Sequence, residues 1–226
     1  MSKKINDIFS MIYEKYDLYN RLMSFGVDTI WRKQTAKEVL KKPGDISVLD
    51  VATGTGDLAI CIYKMAKKEN RNVKIIGMDF NKKMLGIAVD KAHGTNIKFE
   101  LGDALKMKYA NNSFDVVTSA FALRNLDSLD EFAQEVKRVL KSGGNFAFVD
   151  MSSPKSNHGK LLFNLYSKFM ILAGSIIYKD AYRWLAYSIS HIDDTNLPFI
   201  MKKMGFRNVK TKRLLSDIAY IVYGTK

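Results

Sequence analysis

The sequence predicts an α/β fold, a mostly parallel seven-stranded sheet with helices on both faces. Three observations carry this. Short runs rich in Val, Ile and Phe alternate with stretches of helical periodicity between residues 46 and 149, and such alternation builds parallel sheets through right-handed crossovers. A glycine turn, Gly54-Thr55-Gly56, joins the first run to the first helical stretch. Two late strand-like runs follow each other with no helix between them, the pattern of an antiparallel pair.

The elements follow in order. Residues 3–24 place Ile5, Ile8, Phe9, Ile12, Tyr16 and Tyr19 on one helical face. A second helix is expected over about 28–41, stopped by Lys42-Pro43-Gly44. Ile46–Val51 is short and mostly apolar, a buried strand. Leu58–Lys68 is helical, Val73–Met78 a strand, and 81–92 a helix. Ile97–Leu101 and Phe114–Ala120 are strands, and 129–140 is a helix. A fifth strand, Asn145–Val149, is expected after Gly143-Gly144. Leu161–Tyr178 is apolar with one charge, Lys168. Its length is at the lower limit of a membrane span. Asn164, Ser167, Gly174 and Ser175 interrupt it, so a buried or surface-docked helix is expected. Residues 197–204 form a short amphipathic helix that ends at Gly205, with Pro198 in its first turn. Val209–Leu215 and Ile218–Tyr223 are the closing strands. One domain over 1–226 is expected, with a helical cap (1–44), a ligand-binding core (45–154), a helical insert (155–195) and a closing helix and strands (196–226).

At 226 residues, with 47% apolar and 26% charged side chains, the chain can bury a core, which excludes global disorder and a disulfide mini-scaffold. Cys61 is the single cysteine, so no internal disulfide forms and a reducing compartment fits. The opening MSKKINDIFSMIYEKYD lacks the apolar stretch of a signal peptide. The net charge of +13 is uneven. Residues 46–150 hold 15 Lys/Arg against 13 Asp/Glu, whereas residues 151–226 hold 12 against 4. That basic third suits anionic lipid, nucleic acid or an acidic substrate, or simply keeps the surface soluble.

The chemistry-bearing residues cluster at strand ends. Asp50 closes the first strand and Gly54 and Gly56 turn the chain into a helix. Glycines there admit positive φ and a close ligand, and the free N–H groups of the helix start face it. The pattern is neither the phosphate fingerprint nor a Walker loop. An acid at this point repels a pyrophosphate but suits a cationic amino-acid ligand. Asp79 closes the second strand, where an acid accepts hydrogen bonds from a ribose diol. Asp103, before Ala104, follows the third, where an adenine amino group can be met. Each alone reads as a turn or cap residue. Together, at successive strand ends, they converge on one crevice. The three histidines, His93, His158 and His191, are scattered and lack zinc-ligand spacing.

These features resemble a class I S-adenosylmethionine (SAM)-dependent methyltransferase, and more closely the UbiE/MenG/Coq5 quinone C-methyltransferase family. Tyr16-Asp17-Leu18-Tyr19-Asn20, Met23-Ser24-Phe25-Gly26 and Trp31-Arg32 are similar to the family's start. The similarity continues through Gly54-Thr55-Gly56-Asp57, Phe121-Ala122-Leu123-Arg124-Asn125, Ser142-Gly143-Gly144, Asp150-Met151 and Tyr182-Arg183-Trp184-Leu185-Ala186-Tyr187-Ser188-Ile189. The chain departs in Ala122, where the family usually has Gly, and in Asp150-Met151, where Glu-Phe is usual.

The resemblance implies a Rossmann-like methyltransferase fold and C-methylation of a demethylated polyprenyl quinol by S-adenosyl-L-methionine, with no metal. It implies cofactor contacts from Asp50, Gly54, Thr55, Gly56, Asp79, Asp103 and Ala104, and catalytic roles for Arg124 and Asn125. Arg124 is expected to stabilise phenolate charge; the alternative is a structural pair with Asp127 or Asp150. His158, Tyr182 and His191 are the candidate bases. The expected partners are the lipid quinol and, peripherally, an anionic membrane at the inner face of the cell, in an otherwise cytoplasmic protein. A homodimer stays open and nucleic acid is disfavoured. The rival readings are a SAM-dependent enzyme of RNA or another small molecule, and a non-catalytic SAM-binding or membrane-interaction module. Intact Asp50, Gly54, Gly56 and Asp79 argue against the last.

Overall fold

The computed structural model describes residues 26–152, 196–215 and 217–226, with Ser10, Tyr13, Asp17, Arg21, Ser24, Asn157, Gly159, Lys160, Leu161, Phe163 and Leu165. Most of the expected 3–24 helix, the Leu161–Tyr178 stretch beyond Leu165, and His158, Tyr182 and His191 lie outside the described residues.

Helix α1 spans Val27–Leu40 and buries Asp28, Trp31, Arg32, Thr35, Ala36, Val39 and Leu40, a spacing of three and four that makes one face. Arg71 binds the carbonyls of Leu40 and Lys42 and, at 3.0 Å, that of Gly44, closing the helix end with a cation. Strand β1 (Ile46–Val51) leads into α2 (Asp57–Lys68), β2 (Val73–Asp79) into α3 (Lys82–Lys91), and β3 (Lys98–Leu101) and β4 (Phe114–Ala120) follow. Helix α4 spans Leu129–Val139, β5 Leu140–Met151, α5 Asn196–Lys203, β6 Arg207–Leu214 and β7 Ala219–Thr225. Asn81 caps α3 by accepting from the N–H groups of Lys83 and Met84 at 3.0 and 3.1 Å, and Ser128 caps α4 through Glu131.

The strands lie in one sheet, β3-β2-β1-β4-β5-β7-β6. β1 to β5 are parallel, and β7 runs antiparallel to both β5 and β6. Alternate residues feed opposite layers. Leu49, Val51, Val117, Phe146 and Phe148 pack with Phe132 and Val136 of α4 and Leu197 and Met201 of α5. Val48, Val116 and Ala147 pack with α1 and α2 through Ala36, Val39 and Ile62. Helices therefore cover both faces. From β1 the chain winds outward to β3 and returns to β4 on the other side. That reversal opens a crevice at the carboxyl ends of β1 and β4.

The fifth strand differs from expectation. It begins at Leu140, before the glycines rather than after them, and Leu140 pairs with Phe114. The register then shifts before Val116 pairs with Asn145, and Gly143 takes φ +68°. The glycines form an irregularity inside the ladder, where positive φ is needed, and not a connecting loop.

Candidate functional site

Four turns meet at the crevice: those after β1, β2 and β3 and the single 3₁₀ turn Leu123–Asn125 after β4. A cleft of about 600 Å³ is lined by Asp50, Thr53, Gly54, Thr55, Asp79, Asn81, Phe121, Asn125 and Arg32, among others. A smaller cavity of about 260 Å³ shares Ala52, Asp79 and Phe80 with it and adds Gly102, Asp103 and Ala104. The strand-end acids thus lie along one continuous depression, with Asp79 between the other two.

Asp50 is 1% exposed. Its Oδ2 accepts the Thr53 hydroxyl at 2.6 Å, and its Oδ1 has no partner. Burial pushes the carboxyl up to about 7, while the Thr53 bond, the Ala59 N–H and the charge of Arg32 pull it down. Asp79 is held by backbone. Its Oδ2 accepts the Gly54 N–H and its Oδ1 the Asn81 N–H, both at 2.8 Å. Burial still pushes it up to about 6. A carboxylate has about four acceptor positions, so these backbone bonds, with the Phe80 N–H that also lowers its pKa, do not exhaust it. These acids fit an adenosyl amino acid. The orphaned oxygen of Asp50 needs a donor, and a cation answers best the cost of ionising a buried acid.

Gly54 takes φ +57° and lines the cleft. Gly56, at φ +80°, packs away from it: a Cβ would stand 3.0 Å from the Phe99 ring and 3.1 Å from Ala88. Gly56 therefore seats α2 against its neighbours. The Thr55 hydroxyl donates to Asp17 at 2.6 Å. Asp17 also pairs with Lys91, and Ser10 accepts from Asn81 at 2.9 Å. These described positions of the first 24 residues lie on the same turns as the cleft. The Asp103 side chain accepts from Leu105 N–H at 2.9 Å, an Asx turn that holds the smaller cavity's rim.

Arg124 forms an ion pair with Asp150, with the two side chains 8% and 0% exposed. Asp150 also accepts the backbone N–H of Arg124 at 3.2 Å and of Met151 at 2.7 Å. Of the two acids weighed for a structural pair, Asp150 makes the contact. The Arg124 Nε is buried without a partner, as is Oδ1 of Asn125, which lines the cleft.

Sequence reasoning gave Arg32 and Phe121 no role. Arg32 pairs with Asp28 and lies 4.9 Å over the ring of Phe121, which takes φ +60° directly after β4. The family motif containing Trp31-Arg32 was the available signal. Phe121 opens the Phe121–Asn125 motif, but its positive φ had no signal, because aromatic side chains rarely adopt it.

The fold has solved counterparts. A SAM-dependent methyltransferase structure from Thermotoga maritima superposes with a TM-score of 0.67 at 19% identity, over 97% of this chain and 99% of that one. One from Aquifex aeolicus gives 0.59 at 20% identity, over 84% and 88%. Such distant likeness speaks for the fold alone. Sequence relatives are nearer. A demethylmenaquinone methyltransferase of Lactobacillus johnsonii is 35% identical, over 99% of this chain and 93% of its own length. A ubiquinone/menaquinone biosynthesis C-methyltransferase of Pseudomonas putida is 35% identical, over 100% and 90%. The model of the ubiE/COQ5 methyltransferase family matches residues 1–226. With the match running the whole length, and with relatives equally co-extensive, the chain belongs to the ubiE/COQ5 methyltransferase family.

Proposed function

We propose that the chain transfers the methyl group of SAM to a ring carbon of a demethylated polyprenyl quinol, demethylmenaquinol or its benzoquinol equivalent. The observation that carries this reading is the cleft at the β1/β4 reversal, where a buried acid with an orphaned oxygen meets a second acid that its backbone bonds do not exhaust. The names of the sequence relatives support the acceptor class.

When bound, SAM supplies an electrophilic methyl group on a sulfonium. Asp50 holds the ammonium of its methionyl end, Asp79 the ribose diol, and Asp103 with Ala104 the adenine. Gly54 and Thr55 supply the turn, with Gly56 holding it against α3 and β3. Ala120, Phe121 and Ala122 line the cleft and give the acceptor ring an apolar wall. A ring carbon is a weak nucleophile until the adjacent hydroxyl loses its proton. Arg124, braced by Asp150, opposes the negative charge as it grows, and Asn125 stands beside it in the cleft wall to orient the ring. His158, Tyr182 or His191, in the acceptor-side insert 155–195, takes the proton. The protein's work is alignment and charge management.

A polyprenyl quinol lies in a membrane. Among the described residues no helix is long and apolar enough to cross one. Peripheral contact of a cytoplasmic protein is the reading that fits, through the exposed Lys202, Lys203, Arg207, Lys210, Lys212 and Arg213. Incubating labelled SAM with a demethylated-quinol extract, an RNA pool and buffer alone tests the reaction. Label in the quinone is expected. Label in RNA would replace the acceptor, and SAM binding without transfer would leave a non-catalytic module.

A further inference from the structure

We infer that Arg32 receives the carboxylate of the cofactor's amino-acid end, and so selects a zwitterionic amino acid over a simple amine. This rests on the SAM reading above and deepens it. An amino-acid zwitterion needs both signs within a few ångströms. Acids are plentiful in the cleft. Arg32 is the one Lys or Arg side chain among the described residues that line it.

The guanidinium is held ready. Asp28 lies one helical turn before Arg32 in α1 and binds its Nη1. Asp28 is itself fixed by the Ser24 hydroxyl at 2.6 Å. The Phe121 ring supports the guanidinium at 4.9 Å. Arg32 is only 8% exposed, so little of its charge is lost to solvent.

It is also not used up. The nearest further acid, Asp57, stands 3.8 Å from Nη2, beyond hydrogen-bond distance. Asp57 is already engaged through its other oxygen by Lys91. One edge of a planar fork is therefore taken and another faces the cleft wall without a short acceptor among the described residues. A guanidinium fork matches a carboxylate in two hydrogen bonds. A strut between α1 and α2 would account for the Asp28 pair. It would not account for a half-engaged guanidinium in the same cleft as the orphaned Oδ1 of Asp50.

Calorimetry with three ligands tests this. SAM has both charges of the amino-acid end, decarboxylated SAM keeps the ammonium only, and methylthioadenosine has neither. The wild type should prefer SAM to decarboxylated SAM by roughly ten- to a hundredfold. Arg32→Met should abolish that preference and leave methylthioadenosine binding within about twofold. The double variant Arg32→Met/Asp28→Asn avoids leaving a buried unpaired acid and should give the same result. A variant that keeps the preference, or loses affinity for all three ligands equally, would overturn the assignment. Wild type that binds SAM without any preference overturns it too, and leaves the cofactor reading intact. Wild type that binds none of the three removes both.

Discussion

The carboxylate of Asp79 accepts the backbone N–H of Gly54 at 2.8 Å, so the end of β2 fixes the turn that follows β1. The same side chain accepts the N–H of Asn81, whose own side chain caps α3. One buried acid thus organises the two cleft-lining turns that follow β1 and β2.

Asp79→Asn should therefore weaken both binding and fold. The amide would set an NH₂ against one of two backbone donors. SAM affinity should fall at least about tenfold, since charge-assisted hydrogen bonds contribute roughly 1.5–3 kcal/mol each. The melting temperature should fall as well. Unchanged affinity by calorimetry in a folded variant removes Asp79 from the site.

Affinity should rise with pH. Burial pushes Asp50 up to about 7 and Asp79 up to about 6, and only ionised Asp50 attracts a cation. At pH 5 about one Asp50 in a hundred is ionised, so SAM binding should be up to about a hundredfold weaker than on the plateau above about pH 8. The stability of the ligand-free protein moves the other way. These acids hold protons more tightly folded than unfolded, so the stability they contribute is lost as pH rises from about 4 to 7. Asp50→Asn should remove most of the affinity profile's slope and leave the stability profile with the Asp79 part alone. Calorimetry and thermal melts from pH 5 to 8 check this, and a flat wild-type affinity profile rules Asp50 out as the ammonium partner.

Arg124→Met should act twice. Asp150, fully buried, would lose its counter-ion, which costs about 3–5 kcal/mol. Turnover of the folded fraction should fall roughly a hundredfold, as when one oxyanion donor is removed, with SAM affinity little changed. Melts and kcat on one preparation separate the effects. A large stability loss with near-normal kcat would make the pair purely structural.

Binding to anionic vesicles should weaken as salt rises. β6 exposes Arg207, Lys210, Lys212 and Arg213, and each cation near such a surface contributes about 1 kcal/mol. Lys210→Glu/Lys212→Glu should lower cosedimentation and spare methylthioadenosine binding. No binding to quinol-loaded vesicles at low salt leaves the charge as ordinary surface.

The sheet was legible because its signals are local. Ile46–Val51 and Phe114–Ala120 announce themselves by apolar runs. The meeting of Asp50, Asp79 and Asp103 followed from strand order, since parallel strands bring their carboxyl ends together. Pairings between distant elements were not legible. Arg32 reads as an ordinary helix residue until α1 packs beside the cleft and Phe121 comes under it. The choice of Asp150 over Asp127 for Arg124 depends on β5 lying beside β4. The early start of β5 was missed because Gly143-Gly144 reads as a loop unless a neighbouring strand supplies its hydrogen bonds. Here Lys226 does so, its backbone bonding to both glycines at 3.2 and 2.8 Å.

That last contact has a bearing on how the molecule is made. β5 is a deeply buried strand whose second neighbour, β7, is synthesised well after it; Asn145 pairs with Thr225 and Met151 with Ala219. Until then β5 presents one unpaired, strongly apolar edge, the kind of template on which nascent chains join each other. Completion is long-range and late, which slows folding. Productive yield of this protein should then depend on how quickly the β6–β7 hairpin finds its slot, and lower growth temperature or holdase chaperones should raise it more than any change at the cleft.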